Sequence, residues 1–86
     1  MPNTPAPLSD ATAEFGKRVR QRRNDLGLTQ EDLAHRAGLH WTFIGQVERG
    51  RRNITLHNIL KLAAALQIDA SSLIAELVPP EQGPAV

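Results

Sequence analysis

The sequence predicts an all-α domain of five short helices, and three observations carry that expectation. Apolar residues recur at helical spacing, as in Phe15, Val19 and Leu26 or Ile59, Leu62, Ala63 and Leu66, which gathers them on one face of a 3.6-residue repeat. Residue types that cap helix N-termini precede these stretches: Ser9 or Asp10, Thr29, Thr55 and Asp69. Glycines at positions 27, 38 and 50 follow three of them, where a helix C-terminus turns through positive φ and glycine does so without steric strain.

MPNTPAPL, residues 1–8, carries three prolines in its first seven positions and no Lys or Arg. It reads as a disordered arm, free to lie along DNA or to hang as a tail. The first helix runs from Ser9 or Asp10 to about Leu26, with Asp10 and Glu14 near its positive end and Gly27 at C′. Its run KRVRQRR is either a phosphate-binding face or a solvated one. Thr29 caps the second helix, with Asp32 three residues on and Leu28 and Leu33 spaced as a hydrophobic staple.

Leu33, Ala34 and Ala37 then share one face, and Ile44 and Val47 mark the inner face of a third helix from about Trp41 to Arg49. Gly38 supplies the turn between them, and Ala34 is small where the two helices cross. That is the physical pattern of a helix-turn-helix, in which the first helix lies across the DNA backbone and the second enters the major groove. Gln30, at the first position of its helix, is then placed to donate to a phosphate.

The outer side of the third helix keeps His40, Trp41, Thr42, Gly45 and Gln46, and His40, Trp41, Thr42 and Gln46 are the candidates for base readout. The Gln46 amide matches adenine N6 and N7, and Thr42 suits a phosphate or a thymine methyl. Trp41 has two roles open to it, packing on the nucleic acid or covering the preceding turn. Gly45 costs about 1 kcal/mol of helix stability against alanine, which points to a close approach, with DNA backbone as one candidate. Phe43 is expected against the next helix, and His35 and Arg36 in solvent.

Arg49, Arg51, Arg52 and Asn53 flank Gly50 as candidate phosphate or minor-groove contacts. Thr55 caps the fourth helix, whose core stripe is Ile59, Leu62, Ala63 and Leu66. Asp69 is expected to cap a fifth helix containing Leu73, Ile74, Leu77 and Val78, stopped by Pro79-Pro80. The domain is therefore placed at 9–78, with a disordered tail at 79–86. One short recognition helix reads few bases. A homodimer through helices four and five, with Leu73, Ile74 and Leu77 in its interface, doubles them on a (pseudo)palindromic operator.

Composition bounds the alternatives. Eighty-six residues, 41% apolar and 22% charged, make one globular domain with a modest core. No run reaches the roughly 18 apolar residues of a membrane span, and no apolar signal core opens the chain, so a cytoplasmic location is expected. There is no cysteine, hence no disulfide framework and no cysteine–zinc site. Net charge is only +1, but nine basic residues face four acidic ones between Lys17 and Arg52, while the chain from Ile54 onward sums to −2. The basic half contains the helix-turn-helix. His35, His40 and His57 lack metal-ligand spacing, and no nucleophile motif or phosphate loop is present. No enzyme activity, metal, cofactor or small-molecule effector is therefore expected.

TQEDLAHRAGLHWTFIGQVERGRRN followed by ITLHNILKLAAALQID resembles the Cro/C1-type, or XRE, helix-turn-helix family. Gln30, Leu33, Ala34, Gly38, Ile44, Val47, Glu48 and Gly50 match its motif, and the match covers roughly Phe15 to Leu77. Within the family, I-G-x-V-E-R-G-R-R-N and the small single-domain size look most like controller proteins of restriction–modification systems. The resemblance implies a compact five-helix bundle of the lambda-repressor-like type that binds double-stranded DNA as a homodimer and regulates transcription. It also implies an ion pair between a first-helix arginine and the recognition-helix glutamate, here Arg23 and Glu48, which makes both structural. The family has a charged residue near Trp41 in many controllers, so base preference does not transfer. Gln67 stands where the family has glycine, which implies a strained or reshaped turn. Two other functions remain to be weighed: the antitoxin of a toxin–antitoxin pair, and a helix-turn-helix used only for protein contacts, against which Arg51 and Arg52 argue.

Overall fold

The computed structural model describes residues 5–80 and contains five helices: α1 (Asp10–Asp25), α2 (Gln30–Ala37), α3 (Trp41–Glu48), α4 (Leu56–Ala65) and α5 (Ser71–Ile74). The first four residues of the arm and the tail from 81 onward lie outside the described residues. The caps form where the residue types place them. Ser9 Oγ accepts from Thr12 N at 3.1 Å and Thr12 Oγ1 accepts from Ser9 N at 3.0 Å, a capping box that starts α1. Thr29 and Asp32 form the same reciprocal pair on α2, and Thr55 caps α4 through Asn58 N.

Phe15 and Val19 of α1 are buried with Leu33, Ala34 and Ala37 of α2, Ile44 and Val47 of α3, Leu62, Ala63 and Ala65 of α4, Leu66 at its C-cap, and Leu73 of α5. Fully burying each large aliphatic side chain contributes about 1.5–3 kcal/mol. Leu26 and Ile59 close the edges of this core half-buried. Gly16 determines how α1 meets α3. A Cβ there would lie 2.7 Å from the Glu48 carbonyl oxygen and closer still to that of Val47, so α1 rests on the last turn of α3 at backbone distance.

The C-termini are held from outside as well as from within. After α1, Gly27 takes φ 69° while Gly27 N and Leu28 N return to Asn24 O and Arg23 O, the two bonds of a Schellman motif. Gln67 ends α4 in the same way, at φ 57°, with Gln67 N on Ala64 O and Ile68 N on Ala63 O. The turn keeps the geometry that glycine would adopt and carries the strain of a side chain in the left-handed region. Arg22 of α1 donates to Leu66 O at 2.9 Å, a cation at the negative end of α4.

The fifth helix departs from expectation. It is a single turn, with Ala70 at the N-cap position; Asp69 still helps, its Oδ1 accepting from Ser71 N at 3.4 Å. It ends at Ile74, well before Pro79-Pro80. Ala75 (φ −56°, ψ 130°) and Glu76 (φ 61°), with Leu77 N donating to Ile74 O, make a type II turn. Leu77 then packs on the core while Val78 is exposed. Arg18 stabilises the break by donating to Ala75 O at 2.7 Å.

Candidate nucleic-acid interface

The α2–α3 unit is built around Gly38, at φ 68°, with Leu39 N returned to Ala34 O. Leu33, Ala34 and Ala37 on one helix and Ile44 and Val47 on the other are buried, which fixes the rotation of α3 and therefore the face it presents. Trp41 and Thr42 are exposed on that face and Gln46 is partly so.

Arg23 and Glu48 pair as the resemblance implied, and the pair is bidentate. Arg23 Nε meets Glu48 Oε2 at 2.6 Å and Nη2 meets Oε1 at 2.9 Å, with side-chain exposures of 12% and 3%. The remaining Arg23 nitrogen, Nη1, donates to Leu28 O at 2.8 Å. The hydrogen bond to Glu48 raises the Arg23 pKa against the effect of burial, so the cation persists at any ordinary pH. Gln30 Nε2 joins at 3.1 Å from Glu48 Oε1. One of the two amide N–H groups of Gln30 thus braces α2 on the end of α3, and the second is left for the phosphate expected of it.

Three further expectations are refined or corrected at this surface. His40, exposed as expected, is also the N-cap of α3. Its Nδ1 accepts from Thr42 N at 3.1 Å and lies 2.7 Å from Thr42 Oγ1, so Thr42 presents its methyl more freely than its hydroxyl. The His40 and Trp41 rings stack at 6.0 Å with 25° between planes, and Trp41 stays 53% exposed. Gly45 is buried rather than outward. A Cβ there would meet Arg49 Nη1 at 3.2 Å and Gln30 Oε1 at 3.5 Å, so the close approach is to the protein's own side chains. Gln46 was expected to pair with adenine through both ends of its amide, yet its Oε1 accepts from Arg52 Nη1 at 3.2 Å.

The loop after α3 is anchored as well as basic. Gly50, at φ 73°, has Ala13 Cα and Pro7 Cβ each 2.9 Å from where its own Cβ would be. Its carbonyl accepts from Leu8 N at 2.9 Å and Thr12 Oγ1 at 2.8 Å, and Arg51 Nη1 donates to Ala6 O. The last residues of the arm, expected to be without structure, are thus laid against the recognition helix's exit. Arg52 lies over the Phe43 ring, 4.9 Å from its centroid, and Arg49, Arg52 and Asn53 are exposed. Of the basic run on α1, Arg18, Arg22 and Arg23 hold groups inside the molecule, leaving Lys17 and Arg20 exposed without such bonds.

Leu73, expected in a dimer interface, is 0% exposed and belongs to the monomer core; Ile74 is 45% exposed and Leu77 half-buried. The reading missed Leu56 and Leu60, an i, i+4 pair on α4 that is 67% and 49% exposed. Phe15, Ile54, Ile59, Ile74 and Leu77 line a shallow groove beside Arg52. Among the described residues no group of three or more His, Asp or Glu is placed to hold a metal ion, and no helix is long and apolar enough to cross a membrane.

This geometry has close parallels. Control protein C.SmaI of Serratia marcescens is 40% identical over 74 residues, covering 86% of this chain and 88% of that protein. The crystal structure of the restriction-modification controller protein C.AhdI from Aeromonas hydrophila superposes with a TM-score of 0.71 at 50% identity, over 72% of this chain and 94% of that one. The P22 c2 repressor, in complex with a synthetic operator, superposes at 0.67 with 33% identity, over 71% and 92%. Residues 19–73 match the helix-turn-helix family model, and with the α2–Gly38–α3 unit at its centre the chain belongs to that family of Cro/C1-type, lambda-repressor-like regulators.

Proposed function

We propose that the protein is a sequence-specific transcription regulator that binds a (pseudo)palindromic operator as a homodimer, and that it serves a restriction–modification operon. The observation that carries the reading is α3 itself: a recognition helix fixed from behind by Arg23, Glu48 and Gln30, with Trp41, Thr42 and Gln46 facing outward beside the basic loop. High identity to control proteins over most of the chain supports the controller assignment. Trp41, Thr42 and Gln46 meet base edges, with Arg52 folded beside Gln46, and Arg49, Arg51 and Asn53 lie beside the backbone or minor groove.

The exposed Leu56 and Leu60, together with Ile74, form the contact with a second copy, which places two recognition helices about 34 Å apart on one side of the duplex. The protein performs no catalysis, and DNA and its own second copy are its partners.

Fluorescence anisotropy tests this directly, with one labelled duplex from the region upstream of the gene and one scrambled control, at about 150 mM salt and above. A preference of about 10³-fold for the upstream duplex, saturating at two chains per site, is the expected result. Equal weak binding that fades steeply with salt would remove autoregulation, and no binding to either duplex would remove the DNA reading.

A further inference from the structure

Arg52 has three options on this surface: it can extend to a phosphate, enter a groove, or fold back. It folds back. Its guanidinium lies 4.9 Å above the centre of the Phe43 ring and Nη1 donates to Gln46 Oε1 at 3.2 Å. The stacking and the hydrogen bond act on one planar group, so the two contacts reinforce each other's geometry.

The chemistry of this contact fixes something that coordinates alone do not. The two ends of a glutamine amide are hard to tell apart by shape, but an arginine has only donors. The Gln46 atom that meets it must be the carbonyl oxygen, so the amide nitrogen is the end left to face outward. A glutamine free at both ends pairs with adenine, donating to N7 and accepting from N6. With its oxygen turned to Arg52, Gln46 aims its NH2 group outward and meets a base edge as a donor.

The major-groove edges that want only donors are those of the keto bases: guanine, with N7 and O6, and thymine, with O4. Adenine and cytosine each present an amino group that would be left without an acceptor, which is the penalty that produces discrimination. We propose that Gln46 reads a keto base, guanine or thymine, and that Arg52 is the positioning residue that makes it do so. The inference rests on the DNA-binding reading above and adds to it the class of base read at one position and the residue that sets it.

The test is selection from a pool of duplexes randomised across the site, followed by competition titrations, using the full chain and three variants. Gln46→Ala identifies the position that Gln46 reads, as the one where base preference disappears. At that position the wild type is expected to favour G or T over A by about 10-fold, the discrimination of one good base contact.

Arg52→Met keeps an unbranched stem over Phe43 but removes the donors, freeing the amide to turn. Adenine should then rise to at least parity with the keto bases at that position alone. Arg52→Lys restores a donor and should restore the keto preference. A thermal melt of each variant confirms that it is folded.

An Arg52→Met variant that binds every sequence more weakly by the same factor, with unchanged base preference and a shallower salt dependence, would identify Arg52 as a phosphate contact and overturn the proposal. So would a wild type that prefers adenine at the Gln46 position. A wild type that enriches no sequence at all would overturn the DNA reading and this inference together.

Discussion

Gly16 lies within a 16-residue helix, where glycine costs about 1 kcal/mol relative to alanine and no turn requires it. The compensation is the crossing with α3, at a distance that leaves no space for a methyl group. Gly16→Ala should therefore destabilise the protein by about 3 kcal/mol, the upper range for overpacking, because backbone carbonyls cannot step aside. Gly45 carries the same helical penalty, but its neighbours are the ends of long side chains. Gly45→Ala should be neutral or stabilising by up to about 1 kcal/mol. Urea denaturation of the two variants separates these cases, and equal midpoints would contradict the packing account of Gly16. At Gln67, replacement by glycine should stabilise by about 1 kcal/mol, the strain released in the left-handed region.

At the scale of elements, the starts of α1, α2 and α4 were legible because capping is local: Thr29 and Asp32 find one another across three residues whatever the rest of the chain does. The bonds from Thr29 to its carboxyl hold Asp32 below the ordinary carboxylate range. The stability this box gives is complete above that ordinary range and is lost as pH falls through the lowered value. Asp32→Asn should accordingly have a lower melting temperature than wild type at pH 7 and nearly the same one once the wild-type carboxyl is protonated.

What the sequence did not disclose depends on where distant elements end up. Gln30 looks free on its own helix and is bonded only because α3 delivers Glu48 to it. His40 is exposed as read, but nothing in its residue type announced that its Nδ1 caps α3. The fifth helix has helical periodicity through Val78, yet it stops at Ile74, and Leu77 reaches the core through the turn that follows. Gly16 did leave a signal, an interior glycine in a strong helix. The Arg23–Glu48 pair came through resemblance; Arg23→Ala, which strands the nearly enclosed Glu48 carboxylate, should cost about 3 kcal/mol, and Glu48→Ala less, because Arg23 is the more exposed partner and keeps Leu28 O.

For the molecule as a whole, charge and apolar surface fall on different parts of the chain. The stretch from Lys17 to Arg52 carries the excess of positive charge, while Leu56, Leu60 and Ile74 are exposed beyond it. One part suits a polyanion and the other a second copy. If that division is functional, Leu60→Lys should convert the protein to a monomer in sedimentation and weaken operator binding by about 10²-fold, as the second half-site is lost, while leaving the melting temperature within a few degrees. A dimer that survives the substitution would place the interface elsewhere.

The seat of the Gly50 carbonyl, shared by Leu8 and Thr12, makes the helix-turn-helix the contents of a closed ring. A bond between residues 12 and 50 spans 38 positions, a loop whose closure costs about 3 kcal/mol of chain entropy. A nascent chain can wind α1 and α2 as they emerge, but α1 has no α3 to rest on, and Arg23 no glutamate, until residue 50 has been made. The DNA-reading surface is therefore not braced before residue 50 has been made, and it is braced together with the anchoring of the N-terminus.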